Sequence, residues 1–146
     1  MEPNKSCVCK GLSLLNNMLD IYINWLGDRS SVDSVAIPMA TKLYNHLSDN
    51  AKIYDSKEIA PLLVKMQTAI DKSKSGKYSP MIALEVVRSA IHKNDILKYA
   101  LICGRPPDRS RTLNIISEVF NIIDEGEVSD AKPILEEHIK NITCSK

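Results

Sequence analysis

Four cysteines, three histidines and a group of three arginines are the residues of this chain whose chemistry could exceed packing. Cys7 and Cys9 stand one residue apart near the start, Cys103 follows much later, and Cys144 lies at the far end. Thiolates hold structural zinc in pairs spaced by two to four residues, with a second pair of cysteines or histidines to complete a tetrahedron. Cys7-Val8-Cys9 has a single intervening residue and no second half nearby. His46, His92 and His138 each stand apart from other histidines and from cysteine at ligand spacing. The sequence therefore predicts no metal site and no cofactor. Cysteines near the chain ends, without the apolar run of a secretory signal, predict no disulfide framework and a reducing compartment.

No phosphate loop is visible, and nothing assembles a nucleophile or an acid, a base and a substrate-polarising group, so the reading is not an enzyme. Arg105, Arg109 and Arg111 flank the stiff pair Pro106-Pro107, where less entropy is lost when they dock, and they are the candidate partner contacts. Basic residues dominate 93–111 and acidic ones the last third, giving two poles that can steer a partner. Charges of this kind serve more often as solvated faces, each contributing little. Trp25 and Tyr22 suit an interface anchor, but a lone tryptophan more often fills a core.

These groups must be held by helices. Apolar residues recur at three- and four-residue steps almost throughout, and no run alternates with period two. The first helix is predicted over 12–27, with Leu12, Leu15, Leu19, Tyr22, Ile23 and Leu26 on a broad stripe that needs more than one neighbour. Residues 1–11 are expected to be a flexible N-terminus, and 12–143 the helical domain. Ser34 is expected to cap a second helix that tolerates Pro38 in its first turn. A third is predicted over 57–71, then a solvated connection over 71–77. Ser79-Pro80 should open a fourth, running to residue 92, and Asn94-Asp95 should re-cap a fifth. That fifth segment, 96–103, is the most densely apolar of the chain and should be buried on all sides at the centre. Gly104 and the two prolines should break it. A sixth helix is predicted over 109–124, ended by Gly126, and a seventh opens at Ser129 or Asp130.

The chain has 146 residues, 44% apolar and 25% charged, as expected of a single folded domain. At this length roughly 68–70% of the unfolded chain's surface can be buried, so neither metal nor disulfide is required for a core. Nineteen basic residues against eighteen acidic give a net charge of +1, and aromatic content is 5%. Both argue against a nucleic-acid platform, and no stretch is long and apolar enough to span a bilayer. The fold class is all-α: a single compact bundle of about seven helices around a short buried central one.

Two segments are moderately specific when taken together. Leu19-Asp20-Ile21-Tyr22-Ile23-Asn24-Trp25 followed by Lys42-Leu43-Tyr44-Asn45-His46-Leu47 resembles the poxvirus Bcl-2-like family, whose members carry acidic-x-Tyr-Ile-x-Trp and then Leu-Tyr-x-x-Leu on their early helices. The resemblance weakens through Ile59 to Met66 and 83–88, and covers roughly 12–143. It implies a Bcl-2-like bundle and a non-enzymatic modulator in the host cytoplasm that binds host signalling proteins, adaptors or kinases, and so inhibits innate immune signalling toward NF-κB or interferon regulatory factors. It also implies that a homodimer can form through the first and sixth helices, where Asp20, Asn24 and Ser117 would face outward. An anti-apoptotic protein whose groove takes BH3-type helices is the alternative. Gly104-Arg105 resembles the Gly-Arg pair of cell-death regulators that grip a helical peptide, but the prolines after it spoil that match, and Thr143-Cys144-Ser145-Lys146 is no hydrophobic anchor. A further alternative is an RNA-binding or polymerase-associated viral domain using Lys72, Lys74, Lys77 and the arginine loop.

Overall fold

In the first half of the chain, leucine and methionine spacing fixes which helix faces meet. The computed structural model describes residues 5–52, 54, 57–104 and 111–142. Among these it contains seven α-helices and no strand: α1 (Lys5–Gly27), α2 (Ala36–Ala51), α3 (Ile59–Lys74), α4 (Pro80–Lys93), α5 (Asp95–Ile102), α6 (Arg111–Asp124) and α7 (Val128–Asn141). A 3₁₀ turn, Arg29–Val32, joins α1 to α2. Among the described residues no helix is long and apolar enough to cross a membrane.

The all-α bundle predicted from periodicity is present, with differences at helix ends. Residues 5–11, expected ahead of the first helix, are its first two turns. Ser34 caps nothing: α2 begins without a side-chain cap. Asp28 caps the 3₁₀ turn instead, accepting from Ser30 N at 3.1 Å and Ser30 Oγ at 2.9 Å. The third helix runs on to Lys74, shortening the solvated connection. Pro80 occupies the first turn of α4 as expected, whereas the Ser79 hydroxyl makes no cap bond. Asn94 does cap α5, its Oδ1 accepting from Leu97 N at 3.0 Å. Gly126, at φ +83°, closes α6 in the left-handed conformation that glycine adopts without steric cost.

The central role expected of the fifth segment holds: α5 packs against α1, α2, α4 and α6. Leu97, Ala100, Leu101 and Ile102 are buried, but Ile96 and Tyr99 are only half-buried, so one side is partly open. Lys98 lays its stem along the core and reaches Asp95 at 3.5 Å. The broad stripe of α1 buries Leu12, Leu15, Met18, Leu19 and Tyr22. It needs several neighbours and has them in α2, α5 and α7. Phe120 of α6 is fully buried, and removing such a ring typically costs about 3–5 kcal/mol.

Candidate functional site at the junction of α1, α2 and α5

An interior glycine weakens a helix unless something passes close to it. Gly11 is such a case: a Cβ there would lie 1.8 Å from the Leu101 carbonyl oxygen and 3.2 Å from His46 Nε2. The missing side chain lets α1 cross directly over the end of α5. One turn earlier on the same face stands Cys7. It is disulfide-bonded to Cys103, with the two Cα atoms 6.0 Å apart across a sequence separation of 96. Cys9 is disulfide-bonded as well. The expectation of no disulfide is thus corrected: Cys7, assigned to a flexible tail, is held on a buried helix whose partner lies far along the chain.

His46 of α2 completes the cluster. A sulfur from each of Cys7 and Cys103 and a ring nitrogen of His46 all lie within 4.8 Å of one another. His46 Nε2 is 2.7 Å from the Leu101 carbonyl. A carbonyl oxygen only accepts, so Nε2 carries the proton and Nδ1 keeps its lone pair. The Asn50 amide donates toward Nδ1 at 3.3 Å, while its Oδ1 faces Cys7 Sγ at 3.6 Å. Burial holds the imidazole below its ordinary pKa of 6.5, Lys10 adds to the effect, and the Leu101 carbonyl and Asp49 oppose it.

Cys103 is placed by unusual backbone. It has φ +57° and is the one non-glycine described residue with positive φ, although glycine follows directly at 104. The left-handed conformation costs an L-residue roughly 1–2 kcal/mol. Gly104 N then donates to the Tyr99 carbonyl at 2.9 Å, and the Tyr54 hydroxyl donates to the Gly104 carbonyl. The helix therefore ends one residue earlier than Gly104 suggests, and Cys103 takes the position that a glycine would fill.

A second polar cluster joins α1, α4 and α6. Arg88 donates from Nε to Tyr22 OH at 3.1 Å, from Nη1 to Asp124 at 2.6 Å and from Nη2 to Glu85 at 2.7 Å. Its guanidinium also lies 5.7 Å from the Tyr22 ring centroid. His92 Nε2 meets the other Asp124 oxygen at 3.0 Å. Burial, then Glu85, drive the Tyr22 hydroxyl strongly upward in pKa, so Tyr22 stays a neutral partner. Trp25 stacks edge-on to Tyr22 at 6.3 Å and packs on the core, in keeping with a filler. Beside this network, α3 and α4 border a cleft of about 610 Å³ lined by Pro61, Leu62, Lys65, Glu85, Ser89 and Lys93.

The residues singled out in the sequence do not converge. Arg105 and Arg109, with the proline pair, lie outside the described residues. Arg111 is exposed at the start of α6. Asp20 forms an ion pair with Lys132 of α7 at 2.5 Å, and Lys132 also donates to Asn16. Asn24 is exposed and Ser117 half-buried, with α7 packed on both α1 and α6. The junction was missed because its members lie far apart in sequence. Gly11, one turn after Cys7 within an apolar helical pattern, was the available signal. No protein-family model, curated protein or solved structure matches the chain.

Proposed function

We propose that the chain is a viral, non-enzymatic interaction protein. It inhibits host innate immune signalling, toward NF-κB or interferon regulatory factors, by binding signalling adaptors or kinases in the host cytoplasm. One observation carries the reading: the segments that resemble the poxvirus Bcl-2-like family lie on α1 and α2, and both helices pack on α5 in a seven-helix bundle. Exposed Leu26 and Val35 bracket the turn between α1 and α2, where apolar anchors for a partner can sit. A homodimer through α1 and α6 belongs to the same reading and would use Asn24 and Ser117, since Asp20 is engaged by Lys132 within one chain.

Expression in cells carrying NF-κB-driven and interferon-regulatory-factor-driven reporters tests the proposal. The expected result is suppression of at least one reporter after upstream stimulation, weakened when Arg105, Arg109 and Arg111 are changed to Glu. Full activity of both reporters at matched expression would overturn it.

The cleft between α3 and α4, with Pro61, Leu62, Val86 and Ala90 in its wall, favours a second reading as a binder of BH3-type helices. It ranks lower because α2, α3 and α4 pack directly against one another, which narrows any trough between them. Titration with a labelled BH3 helix separates the two: saturable binding at micromolar concentration supports the second reading.

A further inference from the structure

A disulfide between α1 and the end of α5 needs no histidine, yet His46 stands within 4.8 Å of both sulfurs. Two thiolates and an imidazole are a donor set suited to zinc, which takes three protein ligands and leaves a fourth position to water or an amide oxygen. Three features suit the set to a metal. The Leu101 carbonyl fixes the His46 tautomer by accepting from Nε2 at 2.7 Å, which is the usual outer-shell partner of a metal-bound histidine. The Nδ1 lone pair accepts from the Asn50 amide at 3.3 Å, and a turn of that amide, whose oxygen lies 3.6 Å from Cys7 Sγ, would release the lone pair to a cation and offer the oxygen to it as well. All three ligands stand on helices or a helix cap, and both cysteines are half-buried, so the site is held in place and still reachable.

We propose that reduction of the Cys7–Cys103 disulfide converts this junction into a zinc site formed by Cys7 Sγ, Cys103 Sγ and a ring nitrogen of His46. A thiol reductant of the glutathione or thioredoxin class supplies two electrons and is released as its own disulfide, leaving two thiols on the chain. Zn²⁺ then takes both as thiolates together with the neutral imidazole, and two protons pass to solvent. The same junction is a covalent staple in an oxidising compartment and a metal clip in a reducing one. The inference does not depend on the signalling role proposed above.

The test uses the full chain, reduced anaerobically, freed of reductant and titrated with Co²⁺ and then Zn²⁺. One equivalent of Co²⁺ is expected to give thiolate-to-cobalt charge transfer in the near ultraviolet and tetrahedral ligand-field bands, both erased by Zn²⁺. The untreated, disulfide-bonded chain should give neither. Cys7→Ser and Cys103→Ser should lose the charge-transfer band, His46→Gln should weaken binding at least about 10-fold, and Cys9→Ser should leave band and stoichiometry unchanged. X-ray absorption on the unmutated zinc-loaded chain avoids any folding defect in the variants. It should show two sulfurs at about 2.3 Å and nitrogen at about 2.0 Å. No charge transfer in the reduced chain, a band that survives Cys103→Ser, or an all-oxygen-and-nitrogen zinc shell would each overturn the proposal.

Discussion

The junction around Cys7 and the network around Arg88 both tie α1 to later helices, but they do so with opposite kinds of side chain. At Arg88 the guanidinium finds Tyr22, Glu85 and Asp124 at hydrogen-bonding distance, and the bonds are charge-assisted. The guanidinium is saturated: it orients helices and has little left to offer a ligand. At the junction the bond between Cys7 and Cys103 is reversible, the His46 lone pair faces only an amide at 3.3 Å, and a left-handed cysteine holds one end. The contrast separates structure that is only structure from structure that can change state.

Breaking the junction covalently should have the largest effect. A cross-link closing a loop of this length stabilises by about 4.7 kcal/mol in the chain-entropy account. Metal-free reduced protein should therefore unfold at markedly lower urea than oxidised protein, and oxidised Cys7→Ser should fall well below the oxidised unmutated chain, with the disulfide of Cys9 still in place. Equal midpoints for oxidised and reduced chain would remove the staple from the comparison. Next is Gly11→Ala, which drives a methyl group into the Leu101 carbonyl at 1.8 Å, where backbone rather than a flexible side chain must yield. We expect a loss of about 3 kcal/mol, at the upper end for overpacking. Combined with Cys7→Ser, the losses should not add, because both act on one helix crossing.

How much of this was legible in the sequence differs between the two regions for the same reason. Helix α5 was placed at the centre because Leu97, Ala100 and Leu101 give a local apolar density that any window can register. Arg88 and Tyr22 lay on predicted helices, but their pairing across 66 residues depends on how α1 crosses α4, which periodicity does not encode. The cysteine cluster was hidden twice over. Cys7 looked like tail because polar residues and Pro3 precede it, and Cys103 looked like the residue before a break. The left-handed turn at Cys103 has no signature while Gly104 stands next to it.

Replacing Arg88 sharpens the comparison from the other side. Arg88→Met removes the three-way contact, but Glu85 and Asp124 stay partly in water and are not stranded, so the expected loss is about 2 kcal/mol, near the value of one bond to a charged group. Arg88→Lys should recover less than half of it, because an ammonium cannot span the fork. The loss should be the same with and without reductant, whereas anything built on Cys7 should change with reductant.

The smallest effect is acid sensitivity, and it belongs to the buried histidines. His46 and His138 are both held below the ordinary value of 6.5, chiefly by burial, with Arg111 adding to it at His138. His138 Nε2 meets Thr112 Oγ1 at 2.8 Å, tying α7 to α6 with a neutral ring. A histidine neutral in the fold and normal when unfolded lets the unfolded chain take up its proton first as pH falls through 6.5. Stability is therefore greatest above that value and declines below it until the folded-state rings themselves protonate. Urea midpoints of the oxidised chain should fall between about pH 7.5 and about pH 5.5. His46→Gln and His138→Gln should each flatten part of that slope while lowering the midpoint at the higher pH. A slope unchanged in both variants would assign the acid response to carboxylates, and would leave the junction sensitive to reductant alone.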